Sequence, residues 1–300
     1  MHKENQVTLL GINTVFLVTA ALLITLGYYL QAKNIYVGLL ITELVIIPLP
    51  AFMYIRWKGI SAKEAFRFNG ISLSTLWKCV LITLCVYPVG LFLNLLGNLV
   101  LDMLGEPLPL PVPVAESGRE YIKNILVIAF AAGVGEELFF RGFLLKGYEW
   151  LGARKAVIAS AILFGIFHFN IQNFIGPAFL GIVFAVMAIK TGSVAAPVVG
   201  HFINNAVSVT FMFIAGMMAD TAVQGVESNL TAGVLASGVA FWGILALAGG
   251  AAALRLFRGL ESRHLDVVPG KTYITDFIPV MITVAVFVVI CASQLVLIMG

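Results

Sequence analysis

The sequence predicts an all-α fold, a polytopic membrane helical bundle of roughly 8 to 9 transmembrane helices, and three observations carry that expectation. Of 300 residues, 60% are hydrophobic and only 11% are charged, against roughly 25% charged in a soluble domain. The mean hydropathy is +1.01. The apolar residues fall in long runs, and about 20 residues at 1.5 Å rise cross the hydrocarbon core. These runs lack the alternation of a barrel strand, and lipid excludes open sheet edges, so each is expected to be a helix.

Taken in order, the first run is Leu9 to Leu30. Val18, Thr19 and Ala20 resemble a signal-peptide cleavage site, but the apolar stretch continues past them and reads as an anchor. The second, Ile35 to Tyr54, holds Glu43 shortly before Pro48 and Pro50. The stretch from Trp57 to Trp77 is basic and partly amphipathic, and is expected along the inner headgroups. The third run is Leu76 to Leu104. After it, residues 106 to 114 read "EPLPLPVPV", whose four prolines favour an extended segment over the outer mouth of the bundle. Then follow Tyr121 to Leu145, the two shortest runs, Ala156 to Phe169 and Phe174 to Ile189, and finally Val194 to Met218, Ala232 to Leu256 and Asp276 to Met299. No repeat, low-complexity tract or soluble domain interrupts them. Residues 1 to 300 are expected to form a single integral membrane domain, with 120 to 215 as its motif-bearing core.

Orientation follows from the positive-inside rule. With nine helices and a cytoplasmic N-terminus, all but Lys33, Arg119 and Lys123 of the 18 Lys and Arg residues fall on the inner side, from Lys3 through Arg67 and Lys190 to Arg263 and Lys271. The outer side carries Asp102, Glu106, Glu116, Asp220 and Glu227. The net charge of +3 thus reflects topology, with no nucleic acid as partner. In a bacterium the compartment would be the plasma membrane. Cys79, Cys85 and Cys291 match no metal or redox spacing and read as small buried hydrophobes.

The fourth run contains "GVGEELFFRGF", residues 133 to 143. A charged side chain at the bilayer centre costs about 2.5 to 3.5 kcal/mol on insertion scales, so Glu136, Glu137 and Arg141 need partners. Glu137 and Arg141 are four apart and share a helix face, where a salt bridge forms cheaply. Glu136 lies about 140° around the helix from Arg141 and faces something else. Of the four histidines, His2 and His264 lie in polar segments, whereas His168 and His201 lie in apolar ones. Counted from Lys146, Lys155 and Lys190, Glu136, His168 and His201 fall at similar depths of about 15, 20 and 16 Å. One turn separates Phe164 from His168 in "FGIFH" and His201 from Asn205 in "HFINN". Gly133, Gly135, Gly165 and Gly200 would let the helices approach closely.

These three segments, Glu-Glu-x-x-x-Arg, Phe-x-x-x-His and His-x-x-x-Asn in this order, resemble the CPBP intramembrane proteases, also called the Abi or type II CAAX prenyl endopeptidase family. The resemblance implies an intramembrane endopeptidase acting on a membrane-bound or lipidated peptide. Carried over motif by motif, Glu136 and His168 would activate a water, while His201 and Asn205 would stabilise the oxyanion. Glu137 and Arg141 would hold the fourth helix, with Phe164 backing His168.

Family members are commonly labelled metalloproteases. Glu136, His168 and His201 could supply the open three-ligand site of a catalytic Zn2+, although no His-Glu-x-x-His spacing preforms it. A metal-free glutamate mechanism fits the same residues and is slightly preferred. Two other classes stay open. One is a non-catalytic scaffold, or a protein giving immunity to a bacteriocin or other peptide on the same fold, for which motif loss would speak; none is lost. The other is a transporter using Glu43 and Asp276 as relay carboxylates, for which paired half-repeats would speak.

Overall fold

The computed structural model describes residues 7–109, 112–222, 232–260 and 272–300, with residues 219–222 and 232–236 described by backbone alone. His2, Lys3, Leu110, Pro111, Glu227, Arg263, His264 and Lys271 lie outside the described residues, as does the Asp220 side chain. Every apolar run of the sequence lies on a helix. In chain order these are α1 (Leu9–Lys33), α2 (Ile35–Trp57) and α3 (Leu73–Asp102), then α4 (118–151). They continue with α5 (Ala153–Ile166), α6 (Ile175–Thr191), α7 (Ala195–Ala222), α8 (Ala232–Arg258) and α9 (Ile278–Met299).

Among the described residues, seven helices are long and apolar enough to cross a membrane. The two left over are instructive. Helix α5 has only 14 residues, short of the roughly 20 that span the hydrocarbon. Helix α4 is long enough, but Glu136, Glu137 and Arg141 interrupt its apolar stretch.

Two interior clusters define the bundle. The larger is aromatic and joins α1, α2, α4 and α5, with Phe16, Phe139, Phe140 and Phe167 all within 2% of complete burial. The smaller is mainly aliphatic and joins α3, α6, α7 and α8 through Ile82, Val86, Met187, Ala196 and Ala253. Leucines, valines and aromatics such as Leu81, Leu247 and Val289 cover the outside, as expected where lipid replaces water as solvent. Cys79 and Cys291 are buried and Cys85 is half-buried, and all three are free thiols.

The stretch between α2 and α3 departs from expectation. Trp57 and Trp77 are exposed, but Ala65, Phe66 and Arg67 between them are buried. The Phe66 ring lies 4.2 Å from that of Phe52 and its backbone abuts Gly142. Arg67 takes a left-handed backbone, φ +54°, donates from Nε to the Arg141 carbonyl at 3.1 Å and pairs with buried Glu149. A purely surface-lying amphipathic segment would leave this guanidinium among headgroups, whereas here a buried carboxylate satisfies it.

The proline-rich segment keeps no helix at 106–109 or 112–114. The amide of Glu106 donates to the Ile298 carbonyl at 3.0 Å. The Gln172 side chain both accepts from the Leu108 amide (2.9 Å) and donates to its carbonyl (3.0 Å), standing in for a neighbouring strand. Asp276 accepts from the Tyr273 amide at 2.8 Å, capping the turn that opens α9. That placement gives the carboxylate a local capping partner and removes it from any relay through the bundle.

Candidate active site

Helix α4 is regular only in part. The α-helical segment Ala132–Glu137 is bracketed by π-helical turns at Ile125–Ala131 and Leu138–Leu144, a distortion that often marks functional positions. Glycines hold the bracketed segment against its neighbours. A Cβ on Gly133 would sit 3.1 Å from the Phe202 amide nitrogen of α7, and one on Gly135 would overlap the Glu43 carbonyl of α2. Glu136 is thereby clamped between α2 and α7. Gly165 and Gly200 are comparably tight, against the Phe174 carbonyl and the Thr83 hydroxyl.

From this clamp the two glutamates part ways. Glu137 is fully buried and its Oε1 accepts twice, from Arg141 Nη1 at 2.7 Å and from His201 Nδ1 at 2.8 Å. Arg141 also reaches the Gly181 carbonyl at 3.4 Å and lies 4.2 Å over the Phe164 ring. A cation over an aromatic face gains electrostatically without needing water, so the ion pair on one face of α4 is assembled from α4, α6 and α7 together. Glu136 points elsewhere, its Oε2 lying 3.7 Å from His201 Nε2. His201 is thus flanked by both carboxylates, one at each ring nitrogen.

His168 sits in the turn after α5, ahead of Phe169 with φ +46°. Its Nδ1 donates to the Phe164 carbonyl at 2.9 Å, which leaves Nε2 as the unprotonated acceptor of the neutral ring. The Phe164 ring stands edge-on to both imidazoles, at 5.1 Å from His168 and 5.9 Å from His201. Asn205, one turn along from His201, donates to the Ile128 carbonyl of α4 at 3.0 Å and accepts from Asn204 at 3.1 Å. One amide N–H of Asn205 is left for another acceptor.

A cavity of about 990 Å³ joins these groups, and Glu136, His168, His201 and Asn205 all line it, as does Phe164. Its remaining wall is mostly apolar and includes Val112 and Pro113 of the proline-rich segment. Glu137 and Arg141 stay behind the wall. Among the wall residues that the sequence did not assign to the site, three matter for its chemistry. Phe184 stacks on His201 at 5.4 Å, Asn204 touches Asn205, and Glu43 lines the cavity from α2. "HFINN" did contain Asn204, and Glu43 was visible as a lone charge in an apolar run. Phe184 carried no signal at all.

Two imidazoles and a carboxylate suit zinc by chemistry. By position they do not meet the requirement: among the described residues no three His, Cys, Asp or Glu side chains are placed to hold one ion.

Fold and site together define a polytopic membrane protein with a chamber among its helices, apolar over most of its wall and carrying histidine and glutamate side chains. Residues 118–207 match the family model described as type II CAAX prenyl endopeptidase Rce1-like, and this stretch, from the start of α4 into α7, contains every motif residue named above. The family points to a membrane-embedded protease with a peptide substrate. Searches of curated proteins and of solved structures gave no match.

Proposed function

We propose that the protein is an endopeptidase that hydrolyses a peptide bond of a membrane-associated or lipidated substrate inside the cavity. The observation that carries this reading is the convergence of Glu136, His168, His201 and Asn205, from two helices and a turn, on one chamber walled mainly by apolar side chains. In the proposed reaction Glu136, assisted by the acceptor Nε2 of His168, takes a proton from a water as its oxygen attacks the carbonyl carbon. Asn205 donates its remaining N–H to the oxygen that gains charge. His201, with Nδ1 donating to Glu137, adds a second donor through Nε2 when its ring is doubly protonated. The C–N bond then breaks and the proton held by the base passes to the leaving nitrogen. Glu137 acts as a positioning residue, because its carboxylate orients the His201 ring as outer carboxylates do in other histidine sites.

The test compares membrane peptidomes of cells expressing wild type and Glu136→Gln at matched levels. New peptide ends with wild type alone are expected, because glutamine keeps the volume and removes the base. Full peptidase activity in a folded Glu136→Gln protein would overturn the assignment of the base. Identical peptidomes and an unchanged cellular phenotype would favour a scaffold or immunity protein.

A further inference from the structure

Glu43 has no part in the mechanism above, yet it is placed as if for one. We propose that Glu43 contacts the substrate, its carboxylate accepting a hydrogen bond from a backbone N–H of the peptide held in the cavity. The inference rests on the peptidase reading and adds to it a specific attachment point on α2.

Five side-chain atoms among the described residues are buried without a hydrogen-bond partner, on Glu43, Asn98, Asn124, Glu137 and Arg141. Of these residues only Glu43 lines the cavity. Its side chain is more than nine-tenths buried, with 8% exposure for the residue, and Oε2 is the unpaired atom. A carboxyl kept for helix packing would have its oxygens bonded to a neighbouring helix, since an unpaired buried acceptor bears the full cost of desolvation. The hydroxyl of the preceding residue, Thr42, accepts from Gln31 Nε2 at 3.1 Å.

The backbone around Glu43 is held firmly. It lies on a π-helical turn, Thr42–Ile46, and its carbonyl is packed against Gly135, the residue before Glu136. The unpaired acceptor is therefore fixed in register with the base of the proposed reaction. A peptide entering an apolar chamber brings N–H groups stripped of water, and these are the donors such an acceptor suits.

The experiment uses Glu43→Met and Glu43→Gln in the full chain. It counts the new peptide ends in membranes of expressing cells and measures the Tm of each purified protein. For Glu43→Met, ends should fall about tenfold or more while Tm stays level or rises, because an unpaired buried polar group has been replaced by an apolar one. Glu43→Gln keeps an acceptor oxygen and should fall between Met and wild type. Wild-type ends in Glu43→Met would overturn the proposal, and so would a lowered Tm, which marks a packing residue. A normal yield of ends in Glu136→Gln would instead defeat the peptidase reading, and this inference with it. Loss of ends in Glu136→Gln together with full yield in Glu43→Met defeats this inference alone.

Discussion

At the scale of single residues, Glu137 connects the structural and the reactive halves of the site. Its Oε1 is shared by Arg141 and His201, so removing the cation strands a carboxylate that has no exposure. Arg141→Ala should lower stability by about 3–5 kcal/mol, checked by chemical or thermal unfolding in detergent. Replacing both members, as Glu137→Met with Arg141→Leu, should recover much of that stability without restoring hydrolysis, because His201 then lacks the group that orients it. A double variant with full activity would show that the orientation is dispensable. The Glu137–Arg141 pairing was legible in the sequence because four residues along a helix is a local fact. The Glu137–His201 bond was not, since it depends on how α7 is rotated against α4, which no spacing within either helix records.

At the scale of elements, the bilayer makes helices easy to read, since each must supply a long apolar run or fail to span. What the runs conceal is their distortion. The π-helical turns of α2 and α4 occur in stretches of ordinary apolar residues such as "ILVIAFA", and Phe66 and Arg67 read as part of an amphipathic segment along the headgroups, whereas a carboxylate and a glycine on α4 receive them. The glycines of "GVGEE" were readable as points of close approach, though not which helix each would meet. Gly135→Val should force α2 away from α4, at a cost of about 1–3 kcal/mol from overpacking, and should depress peptidase activity more than that stability loss explains. The check is a paired measurement of Tm and peptide ends, with Gly250→Ala as control, since its nearest neighbour would be Val89 at an ordinary 3.7 Å. Unchanged activity in Gly135→Val would show that the α2–α4 distance does not matter to the site.

For the whole molecule, the charge distribution makes a prediction of orientation. Single cysteines at Lys58 and Glu106, in a background with the three native thiols replaced by alanine, should be labelled from opposite sides of the membrane. Lys58 should react from the cytoplasm, because basic residues are retained there; labelling from the reverse sides would invert the topology for every helix. The site was legible as far as its motifs reach, and the matched stretch, residues 118–207, coincides with them. Glu43 and Phe184 show the limit: one lies far upstream and the other in a featureless apolar helix, so only packing reveals that they share a chamber with the motifs. Packing also links the ends of the bundle. Tyr148 of α4 donates to Asn13 of α1 at 2.6 Å, and Asn13 donates to the Asp276 carbonyl at the start of α9 at 2.7 Å. Because α1 completes its polar contacts only with α9, made much later in the chain, Asn13 stays half-paired until α9 inserts. Closure of α1 against the rest of the bundle is thus deferred until α9 is in place.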